Sequence, residues 1–375
     1  VKIYRKQNVW DAALDRMRYL FDEFDEVAVG FSGGKDSTVV FNLAMMVAKE
    51  KNKLPLKVIF VDQEAEWTMT TDYIREIMSG EDVEPMWFQI PIKILNAAST
   101  IESWLSCWGE GEEWIREKEP NSIKENIYGT DRFHGIFGAI AKHHFKGKKF
   151  CYLSGVRTEE SPIRLVGLTQ GITYKYITWG KVLDKKKGHY TFYPLYDWSY
   201  TDIWKAIHDN KWEYNEVYDY QYRYGVSIND MRVSNLHHET AVNSLFYLQE
   251  IDGELYKKLT KRISGIDTAG KLNFDDFFVK ELPIMFKDWQ EYRDFLMEKL
   301  VTDEDFRKKL NRFITIFEET FEGNRKHLEK SAKKVIQSIV SNDLECTKIS
   351  NYNKAFCGIY RKDKRLKKAY DKSKG

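Results

Sequence analysis

The 375-residue chain is predicted to be α/β, a doubly wound and mostly parallel sheet with a helical C-terminal domain. Three observations predict it. "VAVGFSGGKDSTVV", Val27 to Val40, reads as a buried strand, a glycine turn and a helix N-terminus in direct succession. A second apolar run, Val58 to Val61, ends on Asp62, so the intervening helix, Asp36 to Glu50, joins two parallel strands in a right-handed βαβ unit. From about Ser234 the strand–helix alternation gives way to amphipathic helical stripes. The domains are therefore placed at 1–233 and 234–375.

Ahead of the first strand, Ala13, Met17, Leu20, Phe21 and Phe24 share one face of an N-terminal helix. After the second strand come a helix around Thr70 to Met78 and a third strand, "PMWFQIPI". Residues 97–130, rich in Trp and Glu, read as an insertion with short helices near the ligand edge. His143 and His144 lie on the next helix and are read as surface or core histidines rather than metal ligands. The fourth strand, "KFCYLSGV", delivers "SGVRTEESPIR". Asp197 or Ser199 caps a helix carrying Ile203, Trp204 and Ile207. Arg232, Asn235, His237 and His238 are read as surface residues, with a return to the nucleotide site as the alternative. Trp289, Tyr292, Phe295, Leu296 and Leu300 mark one C-terminal helix, and Leu310, Phe313, Ile314, Phe317 and Phe321 another. A third follows around Val335, and the basic tail from Tyr360 is expected to be solvated.

Composition narrows the class. A net charge of +2 gives no global field for nucleic acid or membrane. With 22 Tyr, 22 Phe and 11 Trp, the chain suits a packed enzyme better than a disordered regulator. No apolar run spans a bilayer, and "VKIYRKQNVW" is not read as a signal peptide, so a cytoplasmic location is expected. Cys107, Cys151, Cys346 and Cys357 form no C-x-x-C pair, which fits free thiols in a reducing compartment and no iron–sulfur cluster.

The glycine turn is built for a polyphosphate. Gly33 and Gly34 can adopt positive φ and admit an anion closely. The helix N-terminus adds its positive dipole end, and Lys35 a mobile charge. Ser32 and Ser37 supply hydroxyls, and Asp36 is a candidate ligand for Mg²⁺. The spacing is not that of a Walker A loop, since three residues separate Gly30 from Gly34 and Asp36 follows the lysine. Arg157 and Arg164, at the end of the fourth strand, are suited to a second anion.

"SGGKDS" resembles the pyrophosphate loop (PP-loop) of the adenine nucleotide α-hydrolase-like superfamily, of HUP type. That resemblance implies binding of ATP, or of a phosphoadenylyl nucleotide, and cleavage of ATP to AMP and pyrophosphate. It also implies that Asp62 and Glu64, after the second strand, cradle the adenosine. The stretch Gly155, Arg157, Glu160, Ser161, Arg164 resembles the G-x-R-x-x-[QE]-S-x-x-R segment of the phosphoadenylyl-sulfate (PAPS) reductase family, as does "PLYDWSYTDIW". Where the reductases read "SIGC-x-x-C", this chain reads "SIND", and it has no Cys-Gly-Leu-His terminus. Thiol-dependent reduction is therefore not expected. Across its length the chain resembles the IbrA-type subfamily, through "DQEAEWTMTTDYI", "WIREKEP", "RISGID" and "VIQSIVSNDLECTKIS". Such proteins occur in bacteria and phages, usually beside a ParB-like partner, and are described as co-activators or as components of DNA modification. The resemblance implies an adenylating enzyme with Lys35, Asp36, Arg157 and Arg164 in catalysis. The alternatives are a sulfonucleotide reductase or sulfotransferase-like enzyme, and a non-catalytic nucleotide sensor acting on transcription.

Overall fold

The computed structural model describes residues 6–96, 104–169, 171–228, 230–233, 235–236, 244–263, 281–340, 343–357 and 360. It divides into two compact units: Val1–Ile94 with Leu105–Leu236 and Tyr247–Arg262, and Leu95–Trp104 with His237–Phe246 and Ile263–Gly375.

The first unit is built on a six-stranded sheet. Its strands are β1 (Glu26–Gly30), β2 (Leu56–Val61), β3 (Val83–Phe88), β6 (Phe150–Leu153), β7 (Gly180–Asp184) and β8 (His189–Phe192). β4 (Ile92–Leu95) and β5 (Trp104–Cys107) form a separate pair. The order is β3-β2-β1-β6-β8-β7, all neighbours parallel except the β7–β8 edge. Strand order thus runs outward in both directions from the β1–β6 junction. That switch point opens a crevice beyond the carboxyl ends of both strands.

The helices follow from their apolar spacing. α1 (Val9–Glu23) and α2 (Lys35–Glu50) share one core with α3 (Thr68–Met78) and α6 (Tyr200–Asn210). Val39, Val40, Leu43, Ala44 and Val47 of α2 are wholly buried there. Each fully buried Val or Leu contributes about 1.5–3 kcal/mol. α4 (Phe133–His144) covers the other face, where Phe137 meets Tyr152 at 5.8 Å between ring centroids and His144 meets Phe88 at 5.7 Å. The sheet is therefore wound on both sides. Gly30 has to lack a side chain, because a Cβ there would lie 2.1 Å from the Tyr152 hydroxyl.

Ser199 caps α6 in a reciprocal capping box with Asp202, whereas Asp197 pairs with Arg16. The third strand ends at Phe88 rather than running through "QIPI". Among the described residues of 104–130 there is no helix, only β5 and turns. Short helices were expected there, but these residues direct their backbone groups to distant side chains instead. The amides of Trp108 and Ile115 bond Glu64, and that of Glu119 bonds Gln89. The remaining helices of this part are α5 (Pro162–Thr169), α7 (Val217–Arg223), α8 (Leu245–Ile251) and α9 (Gly253–Arg262).

The second unit contains α10 (Trp289–Leu300), α11 (Glu304–Thr320), α12 (Arg325–Val340) and α13 (Thr347–Tyr352). Trp289, Leu296, Leu310, Phe317 and Phe321 are core, as their periodicity predicts. Phe295 and Leu300 are exposed instead, on the outward face of α10. His237, His238 and the tail 361–375 lie outside the described residues.

Candidate active site

The loop after β1 and the loop after β6 flank the switch point. In the first, Gly33 has φ +71°, a conformation that an L side chain rarely adopts. A Cβ there would also press on Thr70 Cγ2 at 2.9 Å. Gly34 precedes α2 with no side-chain cap, so the helix presents its positive end to the crevice. The loop is pinned internally. Ser37 Oγ donates to the Gly34 carbonyl at 2.8 Å and accepts from the Ser32 amide at 3.3 Å. It is also pinned from afar, since buried Asn215 donates to the Gly33 carbonyl (3.1 Å) and to Thr70 Oγ1 (2.8 Å). The Tyr218 hydroxyl accepts from the Lys35 amide at 3.2 Å.

Lys35 Nζ lies 3.0 Å from Asp36 Oδ2 and within 6 Å of the Tyr218 and Tyr200 ring centres. Asp36 Oδ1 accepts from Arg157 Nε at 2.5 Å. Asp36 is thus shared by two cations, one from each loop. Gly155 allows this approach, because a Cβ on it would stand 2.9 Å from the Asp36 carbonyl carbon. Arg157 is buried and further tied to Glu159 (3.3 Å), Glu160 (3.9 Å) and the Trp198 carbonyl (3.4 Å). Arg164, on α5, is exposed and pairs with Glu160. Desolvation holds its guanidinium below the usual arginine range, with nearby Arg232 adding to the effect. Ser161 Oγ accepts from the Arg164 amide at 3.2 Å and so opens α5 rather than facing the crevice.

The end of β2 is different. Asp62 is fully buried and accepts from Arg116 Nη2 (2.6 Å), Trp87 Nε1 (2.8 Å), Gln89 Nε2 (3.1 Å) and the Glu64 amide (2.9 Å). Glu64 is also fully buried, at φ +67°, and accepts from the Trp108 amide (2.7 Å), the Ile115 amide (3.2 Å) and Arg262 Nε (2.9 Å). Both carboxylates are occupied by protein donors, so a ligand at this strand end would meet backbone groups rather than these side chains. Nearby Glu66 is buried with no hydrogen-bond partner among the described residues, and burial, with Asp62 adding to it, raises its carboxyl to about 8.

The residues present fit ATP: a positive-φ glycine loop, an uncapped helix N-terminus and one lysine. For Mg²⁺ the donor set is thinner. Asp36 would be its carboxylate ligand in the loop, and both of its oxygens are ion-paired. Among the described residues no group of three or more acidic, His or Cys side chains could hold a metal ion. Mg²⁺ here would arrive on the nucleotide's own phosphates.

Thr70, Tyr200, Asn215 and Tyr218 support the loop without any signal in the motif itself. Only the dense aromatic run "VYDYQYRY" hints at Tyr218. Arg116 and Arg262, which engage the two buried acids, lie far from them in sequence.

Residues 26–228 match the phosphoadenosine phosphosulfate reductase domain, and residues 225–370 match a domain of unknown function, DUF3440. The uncharacterized protein YbdN of Escherichia coli K12 is 25% identical over 325 residues, covering 82% of this chain and 80% of YbdN. The adenosine 5'-phosphosulfate reductase of Lysinibacillus sphaericus is 24% identical over 222 residues, covering 58% and 79%. Among solved structures, the PAPS reductase of Candida auris is 13% identical at TM-score 0.32, covering 64% of this chain and 99% of that one. The FMN adenylyltransferase of Candida glabrata is 14% identical at TM-score 0.35. This match covers 58% of this chain and 64%, under two thirds, of that one. Superpositions this loose add nothing to the fold already described. The family match covers more than half of the chain, from the first strand of the sheet to beyond α7, and the chain belongs to the phosphoadenosine phosphosulfate reductase domain family.

Proposed function

We propose that this chain binds ATP at the glycine loop and cleaves it to AMP and pyrophosphate, adenylating an acceptor on the way. The observation that carries the reading is the uncapped N-terminus of α2 behind Gly33 and Gly34, with Lys35 beside it at the switch point. An acceptor oxygen attacks the α-phosphorus, and the bond to the bridging oxygen of the β-phosphate breaks. Its electron pair leaves with pyrophosphate, and AMP leaves afterwards, when a second nucleophile such as water attacks the adenylated acceptor and takes its place. Loop amides, Ser32, Ser37 and Lys35 receive the leaving charge as it develops. Asp36 holds Lys35 and Arg157 in place. Backbone groups at Asp62 and Glu64 hold the nucleoside. Arg164 faces the acceptor. We read that acceptor as a nucleic-acid phosphate, the protein as cytoplasmic and of the IbrA-type subfamily, and its partner as a ParB-like protein. The span of the YbdN match across both halves of the chain is in keeping with a subfamily that carries the same C-terminal part.

Sulfonucleotide reduction is the weaker reading. All four cysteines are buried. Burial raises the Cys107 and Cys151 thiols well above the usual range and Cys346 to about 12, away from thiolate reactivity. A nucleotide sensor would share the loop and never turn over. The test is mass spectrometry of nucleotide products with and without DNA and the neighbouring partner protein. AMP and pyrophosphate in equal amounts are expected. Intact ATP under every condition would leave the sensor, and adenylyl-sulfate reduction with thioredoxin would favour the reductase.

A further inference from the structure

Tyr218, on α7, carries a proton donor that no described residue uses. Asn215 fixes the start of this helix. Its Oδ1 accepts from the Val217 amide at 3.1 Å, and its carbonyl accepts from the Tyr218 amide at 3.2 Å. The same side chain holds the Gly33 carbonyl, so the helix start and the glycine loop are fixed to each other. The Tyr218 ring is buried, with the Trp204 ring edge-on at 5.4 Å between centroids, and cannot swing away. Its hydroxyl therefore stays at the loop. The oxygen accepts from the Lys35 amide at 3.2 Å and stands 3.4 Å from where a Gly34 Cβ would lie.

A phenol oxygen that accepts one hydrogen bond still has its own hydrogen to give. Among the described residues nothing takes it, and the Lys35 amide is the only hydrogen-bond partner of this hydroxyl. Burial, then the charge of Asp36, raises the phenol above its ordinary range, so the hydrogen stays on. A buried donor without an acceptor is costly, and this one lies beside a helix N-terminus that attracts anions. The space next to it is the one left by the missing Gly34 side chain. Ser32 Oγ at 3.5 Å and Val233 Cγ2 at 3.3 Å border the same point. Lys35 Nζ lies 5.4 Å from the Tyr218 ring centre, so charge and phenol converge there.

We propose that Tyr218 is a binding residue of the glycine loop, its hydroxyl donating to an oxygen of the phosphate chain held beside the Lys35 amide. This rests on the proposed nucleotide site and adds a donor from outside the six-residue motif. The donor belongs to the leaving pyrophosphate, so it reads the β- and γ-phosphates and not AMP. The competing role is a placeholder, a hydroxyl that occupies the Lys35 amide until a phosphate displaces it. The two roles differ in sign. Removing a donor weakens the anion, whereas removing a placeholder frees the amide and tightens it.

The experiment is calorimetry on the full chain, wild type against Tyr218→Phe, which deletes one oxygen and keeps the ring. Inorganic pyrophosphate and α,β-methylene-ATP are expected to bind the variant at least about tenfold more weakly, the scale of a hydrogen bond to a charged group. AMP affinity is expected to stay within about twofold, since no contact to it is lost. Equal or tighter pyrophosphate binding in Tyr218→Phe overturns the proposal and leaves the placeholder. A loss of AMP affinity as large as that of pyrophosphate also overturns it, because the hydroxyl then acts through the fold. A wild type that binds pyrophosphate through Tyr218 but no adenine nucleotide would refute the ATP site alone. A wild type that binds α,β-methylene-ATP no better than Tyr218→Phe does would refute the role of Tyr218 alone.

Discussion

The ends of β1 and β2 are neighbours on one sheet edge and use their polar groups in opposite ways. At β1 the loop is glycine and serine. Its carbonyls are pinned by Asn215 and Ser37, and it turns an uncapped helix end and a lysine toward the crevice. At β2 two acids that look like ligands are wholly buried, each enclosed by protein donors. The difference teaches that a charged residue at the C-terminal end of a parallel strand is available to a ligand only if its protein partners leave part of it unsatisfied, as the single ion pair of Lys35 with Asp36 does and the donors around Asp62 do not. One strand end turns donors and a helix N-terminus toward the crevice, as the proposed receptor for anions, and the other is a knot holding the insertion against the sheet.

Removing a member of the knot should have the largest effect. Asp62→Ala leaves Arg116, Trp87 Nε1 and Gln89 without their acceptor. Breaking one half of a buried ion pair costs about 3–5 kcal/mol. Urea unfolding of the full chain should show a loss of that size, and a loss under about 1 kcal/mol would mean that the acid is no knot.

Glu66 adds a pH signature to the same region. Its carboxyl is raised from 4.5 to about 8 by burial, then by Asp62, while Arg116 acts the other way. Below 4.5 folded and unfolded chains both hold the proton, and this contribution to stability is fully present. Between 4.5 and about 8 only the folded chain keeps it, so stability falls as pH rises and levels off above that. Glu66→Gln should come close to the wild type near pH 5 and exceed it near pH 8.5, by on the order of 4 kcal/mol. Thermal melts across that range check it, and parallel curves would show that Glu66 is ionised in the fold.

At the receptor end the effects move from stability to binding. Lys35→Ala should weaken ATP at least about tenfold, the scale of one charge-assisted contact, with little change in melting temperature. Calorimetry giving equal affinities would remove the loop from the site. Smallest is the expected effect of Arg164→Ala on ATP affinity, within about twofold, because this exposed arginine is already paired with Glu160. Its effect on pyrophosphate release should be far larger, since the contact we propose for it is with the acceptor. Wild-type release rates in Arg164→Ala, with DNA and partner present, would reduce it to a surface ion pair.

The contrast also explains what the sequence could convey. "SGGKDS" is legible because its chemistry is local: positive φ, a helix start and a lysine lie within six consecutive residues. Asp62 and Glu64 were legible as acids at a strand end but not as occupied acids, because Arg116 lies 54 positions from one and Arg262 198 from the other. The antiparallel edge escaped for a similar reason. β7 contributes only "GKVLD", too short and polar to show a period, and β8 supplies its partner. Ser199 was legible as a cap because its partner Asp202 is three residues on.

Asp36 has one further consequence, for the order of events. Its two oxygens are divided between Lys35 on one loop and Arg157 on the other. A phosphate that draws Lys35 away leaves the whole carboxylate to Arg157, and Arg157 stands at the root of the segment that carries Arg164. Filling the first anion position therefore settles the second one before its occupant comes. We expect compulsory-order kinetics, nucleotide first and acceptor second. Asp36→Asn should loosen that order toward random addition, and initial-rate patterns already random in the wild type would contradict it.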